Sequence, residues 1–275
     1  MRRLVKLNAG LAALACSLLL VPSGAGAQPA RADRVAIEYA LPTNPAHKQF
    51  YDVLKQNQAL ERVRDLLAAI RWPRTLRLVL KGCDGDANAW YEDGEITVCY
   101  DYLEDMWKRA GASTRPPGIS QQDAFVGPLI DTILHEAGHA LFDLLKIPLL
   151  GREEDAADQV AAYLVLQLPK DQKRRLILGG AYGYASELQA RNARDLNRLR
   201  LKLTRYSQHS DEHGTAAQRL YNILCVAYGS DKELFADAVE KGFLPPERAE
   251  MCEDEYRQVD YAYRTLIGPH VDAAR

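Results

Sequence analysis

The segment His135-Glu136-Ala137-Gly138-His139 constrains the fold more than any other part of the chain. It lies in an apolar run in which Leu129, Ile130, Ile133, Leu134 and Leu141 recur at helical spacing, so residues 124–146 read as one helix. Helical residues four apart share a face, so both imidazoles can address one ion. Glu136 follows His135 directly and can reach a water held by that ion. Neutral imidazole is a good zinc ligand, and a catalytic zinc site takes three protein ligands and keeps one position for water. The chain must therefore bring a third ligand to this helix from another element.

A metzincin would supply that ligand by continuing the same helix. Phe142 stands where such a sequence needs Gly, and Leu145 where it needs its last His, so that arrangement is excluded. The next candidate is Arg152-Glu153-Glu154-Asp155-Ala156-Ala157-Asp158, which follows a turn at 148–151 and opens a helix over 153–167. So short a connection folds the second helix back antiparallel on the first. Glu154 and Asp158 are four apart and share a face. Glu154 is the first choice for the third ligand, with Asp155 and Asp158 as alternatives. If Glu154 ligates, Asp158 can accept the outer N–H of a ligand His. Acidic residues also favour the first turn of a helix for electrostatic reasons, which suits Glu153 and Asp155 better.

The first 27 residues read as a secretory signal: Arg2, Arg3 and Lys6, an apolar stretch over 11–21, then the small-residue cleavage site Ala25-Gly26-Ala27, with an uncleaved N-terminal anchor as the alternative. Cys16 is a poor lipidation site, because Ala13 occupies the usual Leu position and the apolar run continues past it. Residues 28–275 are expected to form one catalytic domain, with an α/β part over 28–146 and a helical part over 147–275. No stable membrane insertion is expected once the signal is removed. Four cysteines remain in the exported chain. In an oxidising compartment they suggest two disulfides, and proximity favours Cys83 with Cys99 and Cys225 with Cys252. Lys and Arg number 35 against 37 Asp and Glu, which gives no basic surface for nucleic acid.

Before the central helix the pattern mixes strand and helix. Short strands are expected at 35–39 and 75–81, and a helical run at 45–72 ends at Pro73. Asn88-Ala89-Trp90-Tyr91 and residues 95–100 flank Asp93-Gly94, a hairpin signal. Residues 101–109 read as helix and 111–120 as loop. After residue 121 only helices are expected, at 124–146, 153–167, 171–180, 184–206, 214–228, 231–241 and 246–266. This is an α+β layout, a small sheet beside a helical part. An exposed strand at 88–91 could add an extended peptide through its backbone, with Asn88, Ala89 and Trp90 in contact with it; an ordinary hairpin with Trp90 in the core is the plain alternative. His213 is the first choice for stabilising a developing oxyanion, with Asp211 nearby to orient it; a solvated loop histidine is the plain alternative. Arg219 could be an ordinary helix-surface charge, and His47 and His270 are read as surface residues.

His135-Glu136-x-x-His139 followed by Glu154-x-x-x-Asp158 resembles the gluzincin, or thermolysin-like, metallopeptidases. Asp143, four residues past His139, matches a position often Asp in that group and is expected near the ligands. The Asn88–Tyr91 string resembles the edge strand that pairs with bound peptide in those enzymes. The mature chain is more similar still to a family of bacterial exported metallopeptidases assigned to a domain of unknown function. That family has similar Asn-Ala-aromatic-Tyr, HExGHALxD, GREEDAAD and late Asp-x-His segments, and the similarity runs from about residue 45 to about 265. The gap from His139 to Glu154 is shorter than in thermolysin-like enzymes, so their calcium sites are not carried over. The resemblance implies a zincin-like fold, a Zn2+ cofactor and hydrolysis of a peptide or protein substrate, with Glu136 as general base. A zinc-binding pseudo-peptidase or chaperone-like binding protein is the alternative.

Overall fold

The computed structural model describes residues 31–111, 115–116, 118–196 and 212–272. The signal-peptide reading of 1–27 and Asp211 lie outside them. The elements in order are β1 (Val35–Tyr39), α1 (Lys48–Gln56), α2 (Ala59–Leu67), β2 (Leu76–Lys81), β3 (Ala89–Glu92), β4 (Glu95–Cys99), α3 (Tyr100–Ala110), α4 (Gln121–Leu144), α5 (Glu153–Leu166), α6 (Lys170–Leu196), α7 (Ala216–Ser230), α8 (Ala236–Glu240), α9 (Pro246–Ala249) and α10 (Cys252–Leu266). The fold is α+β, with a small N-terminal sheet and a helical C-terminal part.

The sheet order is β1-β2-β4-β3, with β1, β2 and β4 parallel and β3 antiparallel to β4. Period-two patterning sets its faces. Leu76, Leu78 and Leu80 point into the core, while Arg77 on the other face bridges Glu38 and Glu95. Asp93 and Gly94 both take positive φ, as the tight turn between β3 and β4 requires. β3 is thus an edge strand with one side unpaired within the sheet.

Helix α4 lies between the sheet and the helical part: it packs on β3 and β4, on α3, and on α5 and α6. The α4–α6 contact is backbone on backbone. A Cβ placed on Gly127 would lie 2.5 Å from the main chain of Gly179, so both positions require Gly. The disulfides are Cys83–Cys99 and Cys225–Cys252, the local pairing expected. The first pins the loop before β3 to the end of β4, and the second ties α7 to α10. Among the described residues no helix is long and apolar enough to cross a membrane.

Several expectations are corrected. The helical run at 45–72 is two helices, because Gln58 adopts a left-handed φ of 52° between them. Residues 171–180 belong to one helix running to Leu196. The interruption expected between 180 and 184 is absent, and Gly179 and Gly183 there pack closely against α4. The run at 246–266 divides into α9 and α10, and only 236–240 of 231–241 is α-helical. Val271 forms a bridge with Ile70, so the last described residues return to the N-terminal part. His47 is not on the surface. It is 2% exposed, with Nε2 3.3 Å from the Glu104 carboxylate and its ring against Tyr100. Those partners satisfy the imidazole where its apolar body is buried. His270 is only half-exposed.

Candidate metal centre

The centre begins with the register of α4 against α5. Ser120 caps α4 by accepting from the Asp123 N–H, and the helix then carries His135 and His139 one turn apart. The chain turns at Lys146, which takes a positive φ, and α5 runs back antiparallel, so that Glu153 meets His139 and Asp158 meets His135. Gly138 permits the approach. A Cβ there would lie 2.9 Å from the Cα of Ala157.

Three donor atoms converge. His135 Nε2 and His139 Nε2 are 3.2 Å apart, and Glu154 Oε2 is 3.0 Å from the first and 3.5 Å from the second. Tetrahedral coordination at zinc–nitrogen and zinc–oxygen distances near 2.0–2.1 Å places ligand atoms about 3.3 Å apart. The triangle has that edge length, and two imidazoles with one carboxylate suit zinc chemically. Among the described residues, these three form the group able to hold a metal ion.

Each outer ring nitrogen has its own carboxylate. His135 Nδ1 lies 2.7 Å from Asp158 Oδ1, and His139 Nδ1 lies 2.9 Å from Glu153 Oε1. Such partners fix the tautomer that turns the Nε2 lone pair inward. Asp158 was expected in this position. Glu153 was read only as a helix-start acid, though the antiparallel register could have revealed it. Asp155 is outside the triangle and borders a small cavity between α5 and α7.

Arg219 is no surface charge. It makes a two-pronged bond to Asp158, Nε to Oδ2 at 2.8 Å and Nη2 to Oδ1 at 2.6 Å, and its guanidinium lies 4.7 Å above the ring centre of Tyr184. The Tyr184 hydroxyl donates to buried Asp131 at 2.5 Å. Four helices thus meet in a polar chain behind His135. His213 Nε2 lies 2.9 Å from Glu154 Oε2, with its ring stacked on that of His135.

The electrostatics follow from this packing. Burial works against a charged His135, but the carboxylates of Asp158 and Glu154 outweigh it and hold the metal-free ring up at about 9. His139 is raised by Glu154 and Glu153 against the same burial. Glu154, bonded to three imidazoles, is held far below the usual carboxylate range. Burial would raise Asp158, but His135 and Arg219 keep it low. Glu136 is 8% exposed, and burial pushes its carboxyl up despite the two imidazoles nearby.

The edge strand forms the opposite wall. Asn88 C=O accepts from Cys99 N–H at 3.1 Å. Backbone direction alternates along a strand, so the main-chain groups of Ala89 and Tyr91 face away from β4. The Tyr91 N–H faces the Glu136 carboxyl, and the Asn88 side chain caps the Ala89 N–H at 2.9 Å. Trp90 is half-buried, with Lys81 Nζ 5.5 Å from its ring centre. Asp143 is placed against Tyr91, whose hydroxyl donates to it at 2.6 Å, and against Lys146. It holds α4 to the edge strand and contacts neither imidazole through a hydrogen bond among the described residues. Between the walls lies a cleft of about 750 Å³ that also reaches Tyr102, Thr132 and Arg219.

The model of a family described as "Putative metallopeptidase" (DUF4344) matches residues 39–267. No curated protein and no solved structure matches the chain.

Proposed function

The chain belongs to the family described as "Putative metallopeptidase", and from that premise we propose that it is an exported, zinc-dependent peptidase of zincin-like fold, acting on peptides or proteins through residues of one catalytic domain. The observation that carries this reading is the donor triangle of His135, His139 and Glu154, with Glu136 buried beside it in the same cleft. A zinc ion held there would supply a Lewis acid for the scissile carbonyl and acidify the attacking water.

The chain's own residues do the rest. Glu136 takes a proton from the attacking water and hands it to the leaving amine. Its burial and raised carboxyl suit a group that must both accept and release a proton. Asp158 and Glu153 keep the two imidazoles in the ligating tautomer. The outward main-chain groups of β3 hold the substrate in extended form. His213, at the mouth of the cleft beside Glu154, donates toward the oxygen that gains charge. A zinc-binding scaffold without turnover would have no need of Glu136 as a base. The two disulfides suit an oxidising compartment and support export, with residues 1–27 as the signal.

Purified mature protein should carry about one zinc per chain and hydrolyse peptides in a zinc-dependent manner. Chelation should abolish hydrolysis and zinc should restore it. Full zinc occupancy in His139→Ala would exclude this site, and hydrolysis insensitive to metal removal would exclude the mechanism.

A further inference from the structure

Among the described residues the cleft has no aliphatic wall. Among its described lining residues only Ala89 has a purely aliphatic side chain. One part of the wall is built from Tyr102 of α3, Thr132 of α4 and Arg219 of α7. Thr132 lies one helical turn before His135 and Glu136, so it shares their face next to the reacting centre. Tyr102 Oη and Thr132 Oγ1 are 3.1 Å apart. Only one proton is used between two hydroxyls, so one donor and several lone pairs remain. Arg219 spends Nε and Nη2 on Asp158, and its Nη1 has no hydrogen bond among the described residues.

The space behind this wall is polar as well. The same three residues bound a recess of about 40 Å³ that reaches Asp131, Ser186 and Glu187, and Arg109, whose buried Nε has no partner among the described residues. Both guanidinium charges are already met: Arg219 by Asp158, and Arg109 by Glu187 at 3.1 Å and Asp105 at 3.2 Å. The wall therefore offers hydrogen bonds without a bare charge.

We propose that Tyr102, Thr132 and Arg219 form the side-chain subsite beside the scissile bond, and that it selects uncharged hydrogen-bonding side chains (Asn, Gln, Ser or Thr) over aliphatic ones. This names the substrate class of the peptidase and rests on that reading. An aliphatic side chain seated here would displace water and leave the hydroxyls and Nη1 without partners, the situation a hydrogen-bonding site rejects most strongly. A carboxylate would approach Glu136 and Asp131, and among the described residues the guanidinium groups of this wall are already paired with carboxylates.

The test is cleavage of a mixed peptide library by zinc-loaded wild type, Thr132→Val and Tyr102→Phe, with products identified by mass spectrometry. Wild type should favour uncharged polar residues over Leu, Ile and Val by about tenfold or more at one position flanking the cut, and each variant should lower that ratio by about tenfold. The ratio is internal to each protein, so partial loss of fold or zinc does not alter it. Aliphatic preference or no preference in wild type, or an unchanged ratio in both variants, overturns the subsite. Failure of fully zinc-loaded wild type to cleave any peptide overturns the peptidase reading itself, and the subsite with it.

Discussion

Replacing Asp158 by Ala should cause two losses that can be measured apart. The carboxylate serves two partners: His135 Nδ1 at 2.7 Å and the Arg219 guanidinium at 2.6 and 2.8 Å. The side chains are 15% and 19% exposed, so the pair is largely withdrawn from water. Breaking a buried pair by removing one partner costs about 3–5 kcal/mol, and the remaining exposure argues for the lower end, about 3 kcal/mol. The loss at His135 is different in kind. A missing carboxylate behind a metal-bound imidazole weakens metal affinity about 10–100-fold, which corresponds to about 1.4–2.7 kcal/mol. Urea unfolding of the metal-free protein reads the first loss, and chelator competition for zinc reads the second. Adding Arg219→Met to Asp158→Ala removes the stranded cation, so stability should partly recover while zinc affinity stays low. An Asp158→Ala variant with wild-type zinc affinity, or stability losses that simply add in the double variant, would refute this reasoning.

Three further outcomes follow from the same geometry. In the metal-free protein Asp158 and Glu154 hold His135 protonated up to about 9 against the effect of burial, so binding zinc must expel that proton. Zinc affinity should therefore rise with pH until about 9 and fall below it; titration calorimetry in buffers of different ionisation enthalpy should detect the released proton, and a flat profile contradicts the assignment. The same raised pKa makes the stability that His135 contributes to the metal-free fold fully present below its unfolded value near 6.5, and lost as pH rises through about 9. Gly138→Val should push α5 away from α4, because even a Cβ there lies 2.9 Å from the Ala157 Cα. About 1–3 kcal/mol of stability should be lost, together with zinc affinity as Glu154 retreats from the imidazoles; unfolding and chelator competition on the same sample check both.

Local spacing carried much of this site into view. Two His four apart on a helix must share a face, and the short turn after α4 brings α5 back across it, so counting residues put Glu154 and Asp158 on one face near the imidazoles while the choice of third ligand among Glu154, Asp155 and Asp158 stayed open. The Asp93-Gly94 hairpin and the two short cysteine loops were legible for the same reason. The rest depends on contacts distant in sequence. Nothing around Arg219 announces that its partner is Asp158, 61 residues earlier, or that Tyr184 lies beneath it. Asp131 looks like any polar position on a helix until its burial is known. His47 misleads in the same way, because the carboxylate and ring that satisfy it come from α3. The gap expected between 180 and 184 fails for a similar reason: Gly179 is required for contact with α4, and the helix continues through it.

The proposed hydrolysis depends on Glu136 acting as a base beside a metal that it does not ligate. Turnover of Glu136→Gln at matched zinc occupancy tests this most directly, since the change keeps size and shape and removes only the basic carboxylate. Zinc content should stay at the wild-type level while the rate of peptide hydrolysis falls about 10²–10⁴-fold. Hydrolysis at the wild-type rate by the fully zinc-loaded variant would contradict it.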